Sequence, residues 1–76
     1  MKGRKNKMKL SRLELERFIL GYEDYKKSAD TTLWFEARSY LERFDIPTDL
    51  IEYLVDMKVS QDKIEGILTI LEVEIV

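Results

Sequence analysis

Apolar residues recur at every third or fourth position along most of this chain, the spacing that places side chains on one face of an α-helix. The clearest such stretch covers positions 33–44, and others cover 15–25, 50–57 and 64–71. This pattern predicts an all-α fold, a small bundle of three to four short helices. The residues predicted to face the core are Leu15, Phe18, Ile19, Tyr22, Tyr25, Leu33, Trp34, Ala37, Tyr40, Leu41, Phe44, Leu50, Ile51, Leu54, Val55, Met57, Ile64, Ile67, Leu68 and Leu71.

Residues that start and stop helices bound these stretches. Ser11 and Glu14 have the spacing of a capping box, in which each side chain binds the backbone N–H of the other. Asp30 or a following threonine can cap the second helix, and Pro47 favours the start of a third. Ser60 can cap the fourth, so the last two helices are predicted to be joined by a tight turn.

The last seven residues, 70–76, fit two structures. A frayed continuation of the fourth helix is the favoured prediction. A strand is the alternative, because Leu71, Val73 and Ile75 alternate with Glu72 and Glu74, as in a half-buried strand.

The turn before the fourth helix contains Val59 and Ser60, and Ile64 and Leu68 follow at helical spacing. This stretch resembles part of the pattern of the helix-turn-helix family of DNA-binding domains. Two positions depart from the family pattern. Leu54 stands where a small alanine is usual, and Lys58 where a glycine supplies the left-handed turn.

The charges of the fourth helix argue against recognition of DNA bases by this helix. Asp62 and Glu65 would face a groove lined with phosphates, whereas groove-reading helices use Arg, Lys, Asn and Gln. We therefore expect residues 59–68 to pack against the rest of the domain.

Composition excludes several kinds of chemistry. The 76 residues include no cysteine and no histidine, which removes disulfides, the usual zinc and copper ligands, and histidine acid–base catalysis. No glycine-rich phosphate loop or paired catalytic carboxylates are recognisable. The sequence therefore predicts no enzyme, no catalytic residue, no cofactor, no metal and no small-molecule substrate.

No apolar run approaches the roughly 20 residues of a membrane span, and no signal-peptide core follows the basic start. We therefore expect no membrane association and a cytoplasmic location.

Charge divides the chain into two parts. Residues 1–9 carry a net charge of +5, whereas residues 10–76 carry −7. The first part is predicted to be a disordered, solubilising tail and the second a single helical domain. The alternative function is a nucleic-acid-binding regulator that combines this tail with a degenerate helix-turn-helix. Its candidate contacts are Lys2, Arg4, Lys5, Lys7, Lys9 and Arg12.

Several apolar residues fall outside the core-facing stripes. So short a chain buries only about 60% of its unfolded surface, and large apolar side chains at a surface commonly anchor interfaces. The sequence therefore predicts a non-catalytic protein-interaction module, an adaptor, regulator or inhibitor that covers a partner surface. Its partner would be another protein or a second copy, most simply in a homodimer. The candidate interface residues are Leu13, Leu20, Phe35, Ile70 and Val73.

The third helix is predicted to carry an acidic face made of Asp49, Glu52 and Asp56. Such a face is normally solvated. If it is functional, it would meet a basic partner, where charge mainly sets the association rate and specificity.

Overall fold

The computed structural model describes residues 8–76. Four helices follow one another along the chain, and a short strand lies at each end of this region. The elements are β1 (Met8–Leu10), α1 (Arg12–Ser28), α2 (Thr32–Arg43), α3 (Thr48–Asp56), α4 (Gln61–Ile70) and β2 (Val73–Ile75). The predicted small helical bundle is confirmed, as is the tight turn that joins its last two helices.

The helix starts follow the predicted caps, with one difference in detail. Ser60 caps α4 by accepting from the Lys63 backbone N–H at 3.4 Å. Ser11 caps α1, but its hydroxyl accepts from the Leu13 N–H at 3.2 Å. The Glu14 carboxylate pairs with Arg17 on the next turn, at 3.4 Å from its Nη1. The reciprocal capping box is therefore not formed.

α1 and α2 pack as a hairpin through an unusually close backbone contact. A Cβ atom added at Gly21 would lie 2.9 Å from the backbone nitrogen of Trp34 and 3.0 Å from its Cα. Gly21 does not interrupt α1, because its missing side chain makes room for the second helix. Beside this crossing, the rings of Tyr25 and Trp34 stack with centroids 4.6 Å apart.

A residue with a left-handed backbone follows each of the four helices, and none of these residues is glycine. They are Ala29, Asp45, Lys58 and Glu72, with φ between 59° and 70°. Lys58 has this conformation at the position where helix-turn-helix domains place glycine. It costs a residue with a Cβ roughly 1–2 kcal/mol, so packing of α3 against its neighbours must hold the turn in place.

The C-terminal segment corrects the favoured prediction. α4 ends at Ile70, and Val73–Ile75 form a strand that runs parallel to β1, with Val73 opposite Met8 and Ile75 opposite Leu10. Val73 is completely buried and Ile75 half-buried, whereas Glu74 is exposed. The helical prediction was wrong because the pairing partner lies at the other end of the sequence, beyond the reach of a local pattern.

The core collects residues from every element, including three that the helical pattern did not predict, Leu10 in β1, Ile46 before Pro47 and Val73 in β2. Five predicted orientations were wrong. Four residues expected inside are exposed, namely Leu33 at 37%, Phe44 at 46%, Met57 at 59% and Leu71 at 44%. Thr48, expected outside, is buried with its hydroxyl 3.5 Å from Glu42. Phe44, Met57 and Leu71 each lie just beyond the end of a helix, where helical periodicity no longer sets the direction of the side chain. The buried cluster comprises Leu10, Leu15, Phe18, Ala37, Leu41, Ile46, Ile51, Leu54, Ile64, Leu68 and Val73.

The strand at the N-terminal end changes the predicted division of the chain. Met8 and Lys9, assigned to the basic tail, belong to β1 and pair with β2. The rest of that predicted tail, residues 1–7, lies outside the described residues. Within residues 8–76, no helix has the length and apolar character needed to cross a membrane.

Candidate interaction surface

Four of the five predicted interface residues are exposed to solvent. Leu13 and Phe35 are each 62% exposed, Leu20 is 54% exposed and Ile70 is 80% exposed. The buried cluster is complete without any of them. We refer to these four residues as the apolar surface.

The members of this surface belong to three helices. Leu13 and Leu20 are seven residues apart on α1, and therefore lie on the same side of that helix, about two turns apart. Leu20 precedes Gly21, and Phe35 on α2 follows Trp34, the two residues at which these helices approach each other closely. Ile70 belongs to the last turn of α4.

The fifth predicted interface residue, Val73, is not part of this surface. Its side chain is fully buried and packs in the core with Leu10 and Leu68. The prediction failed because it treated the C-terminus as an extra helical turn. As a strand residue, Val73 instead faces the interior.

Two exposed apolar residues, Tyr53 on α3 and Met57 directly after it, were not predicted to be interface residues. Each is 59% exposed. The usable signals were the position of Tyr53 outside the buried stripe of α3 and the position of Met57 next to the predicted turn. Because Tyr53 and Met57 are about as exposed as the apolar surface, substituting them provides a control for substitutions in that surface.

The carboxylates of the predicted acidic face of α3 bind side chains of the α1–α2 hairpin, although Asp49 and Asp56 are exposed. Glu52 accepts a hydrogen bond from the indole Nε1 of Trp34 at 2.8 Å. Asp49 accepts one from Arg38 at 3.3 Å. These carboxylates tie α3 to α2, a structural role that the sequence did not reveal, because the partners lie on another helix.

The third carboxylate of that face, Asp56, is bound by two side chains of α1. Lys26 Nζ donates to Asp56 Oδ1 at 2.6 Å, and the Tyr22 hydroxyl donates to both carboxylate oxygens at 3.0 and 3.1 Å. The hydrogen bond from Lys26 lowers the pKa of Asp56 below its ordinary value. Burial and the nearby carboxylate raise the pKa of Tyr22. The ionised Asp56 therefore holds the end of α3 against α1.

Arg12, a candidate phosphate contact, is engaged within the domain. Its guanidinium Nε lies 3.0 and 3.2 Å from the carboxylate oxygens of Glu65 on α4, and its backbone N–H donates to the Val76 carbonyl at 2.9 Å. The Arg12 hydrogen bond, with a second from Gln61, lowers the pKa of Glu65. Arg12 thus joins the first turn of α1 to both α4 and the end of β2.

Of the remaining candidate contacts for nucleic acid, only Lys9 belongs to the described residues. Lys9 is exposed in β1, opposite Glu74. Residues 8–76 contain nine of the thirteen basic residues and all fifteen acidic ones, a net charge of −6. The described domain therefore has little capacity to displace counterions from a phosphate backbone. The other candidates, Lys2, Arg4, Lys5 and Lys7, lie outside the described residues.

Within the described part of the chain, no cluster of three or more acidic side chains is placed to hold a metal ion. In comparisons with known proteins, no family model, no curated protein and no solved structure matches this chain.

Proposed function

We propose that this protein is a non-catalytic interaction module that associates with a second copy of itself through the apolar surface. The exposure of Leu13, Leu20, Phe35 and Ile70 around an already closed core is the observation that carries this proposal. Desolvating exposed leucine, isoleucine and phenylalanine side chains contributes about 25 cal/mol per Å² of apolar area. The module would act by covering or bridging surfaces, in the cytoplasm, with no chemical step.

The charge of the domain supports a protein partner over a nucleic acid. Its net charge of −6 would repel a phosphate backbone. The best-placed arginine, Arg12, is already bound by Glu65. A contact between apolar surfaces requires neither a positive net charge nor a free arginine, because association then depends on buried area and shape.

The test compares two double variants that remove similar exposed apolar area. Leu13→Ser/Leu20→Ser alters the apolar surface, and Tyr53→Ser/Met57→Ser removes comparably exposed side chains from α3 and the residue directly after it. We expect the first variant to weaken self-association by about tenfold or more, as loss of interface anchors does. The second should leave it unchanged, and both should keep wild-type helicity. Phe35→Ser and Ile70→Ser, each alone, should also weaken assembly.

Sedimentation velocity and circular dichroism give the two readouts. Equal sedimentation of both double variants and the unchanged chain would refute the apolar surface as the interface. Loss of helicity in Leu13→Ser/Leu20→Ser would refute it too, because these side chains would then belong to the core.

A further inference from the structure

β2 has one edge that no described strand covers. Its other edge bonds to β1, where the Val76 N–H donates to the Leu10 carbonyl at 2.9 Å. Backbone groups of successive strand residues point to alternate sides. The N–H and C=O groups of Val73 and Ile75 therefore point away from β1. A free strand edge of this kind is a template for pairing with an extended peptide.

A groove of about 410 Å³ lies along this edge. Glu72 and β2 form one wall, α4 forms the other, and no residue of β1 lines it. The groove is open at Gly66, where an added Cβ would meet no atom within 4 Å. It therefore has both the position and the room for one more extended segment beside β2.

The groove is strongly acidic. Asp62, Glu65, Glu72 and Glu74 line it, and among the described residues 8–76 Arg12 is the single basic one that does so. Because Arg12 and Glu65 bind each other, the exposed carboxylates of Asp62 and Glu74 are the charges that we expect an incoming segment to meet. The same edge of a second copy would bring like charges together, which disfavours β2–β2 pairing between copies.

Residues 1–7 have the complementary charge and the right starting point. They contain Lys2, Arg4, Lys5 and Lys7 and no acidic residue. Met8 lies opposite Val73, so residues 1–7 are joined to the sheet at the Glu72 end of the groove. Crossing β2 requires two strand spacings, about 10 Å. Seven extended residues can span up to about 25 Å.

We propose that this groove binds an extended basic peptide by strand addition, and that residues 1–7 of the same chain are its occupant. The site is separate from the apolar surface and does not depend on the function proposed for it. Lysine and arginine side chains would meet the carboxylates of Asp62 and Glu74, while the peptide backbone pairs with Val73 and Ile75. The basic segment would then be a regulated part of the fold, displaceable by a basic peptide of another protein.

The test measures amide hydrogen exchange by NMR on the full chain. We compare the unchanged protein with a variant in which Lys2, Arg4, Lys5 and Lys7 are all replaced by glutamine. The variant should exchange the amides of Val73 and Ile75 several-fold faster. The Val76 amide, bonded to Leu10, is an internal control and should not change.

A second pair of variants tests the groove itself. Asp62→Asn/Glu74→Gln should accelerate exchange at Val73 and Ile75. Glu23→Gln/Asp24→Asn removes the same charge from exposed positions of α1 and should have no effect. Unchanged exchange at Val73 and Ile75 in the tail variant, or equal effects of the two acidic pairs, would overturn the proposal.

Zero-length cross-linking of lysine to carboxylate identifies the occupant directly. We expect Lys2, Lys5 or Lys7 to be joined to Asp62 or Glu74 more often than to Glu23 or Asp24. In a mixture of isotopically light and heavy chains, the cross-links should stay within one chain. A majority of light–heavy products would overturn occupation by the same chain and assign the groove to a second copy.

Discussion

Two helical glycines differ in what surrounds them, and this difference determines their effect on stability. At Gly21 an added Cβ would press on the Trp34 backbone at 2.9 Å, whereas at Gly66 it would meet open space. Gly21→Ala should therefore destabilise the domain by about 1–3 kcal/mol through overpacking. Gly66→Ala should stabilise it by up to about 1 kcal/mol through helix propensity.

Urea unfolding of both variants measures these changes. Since the two substitutions are chemically identical, each is the control for the other. A stabilising Gly21→Ala would contradict the close approach of α1 and α2.

Asp56 makes part of the stability depend on pH. Its pKa is lowered in the folded state by the hydrogen bond from Lys26. Because the pKa is lower in the folded state, the ionised carboxylate stabilises the fold when the pH is above the ordinary pKa of aspartate. This contribution is lost as the pH falls through the folded-state pKa. Asp56→Asn should therefore destabilise the domain more at pH 7 than at pH 3.

The measurement is the free energy of unfolding of the unchanged chain and of Asp56→Asn at both pH values. Asp24→Asn, an exposed change on α1, should show a small effect at either pH. An Asp56→Asn effect of the same size at pH 7 and pH 3 would mean that the carboxylate charge does not hold α3 to α1.

At the scale of the elements, the helices were predictable and the strands were not. Helical periodicity and the Ser60 cap are local signals, and they located the helices correctly. The strands depend on pairing between residues 8–10 and 73–75, which are far apart in sequence. Alternation of Val73 and Ile75 with Glu74 was visible, but a short alternating segment fits a strand only if a partner strand exists.

The same limit applies to the candidate site. Exposure of Leu13, Leu20 and Phe35 followed from their positions outside the helical stripes. The partners of Asp49, Glu52 and Asp56 could not be read from α3 itself, since they come from α1 and α2. Acidic residues at helical spacing have the pattern of a solvated face whether or not another helix supplies cations.

The burial of Val73 leads to a test of the β1–β2 sheet. Val73→Ala removes two buried carbons and should cost about 2 kcal/mol from transfer and cavity terms. Val76→Ala, at a residue 61% exposed, is the matched control and should change stability by less than about 0.5 kcal/mol. Thermal or urea unfolding distinguishes them. Similar effects of the two substitutions would place Val73 outside the core.

At the scale of the whole molecule, the domain closes a core and still leaves large apolar side chains in water. Ile70, at 80% exposure, and Leu13 and Phe35, at 62%, are the most exposed members of the apolar surface. Single exposed apolar residues are common on monomers. The proposal of self-association therefore depends on these side chains acting together, which only the assembled state can show.

Sedimentation equilibrium of the unchanged chain, from micromolar to near-millimolar concentration, tests this most directly. If the chain self-associates, the average mass rises with concentration above the 9.1 kDa of one chain and approaches twice that value. A mass that stays at 9.1 kDa over the whole range, with the helical signal intact, would contradict self-association.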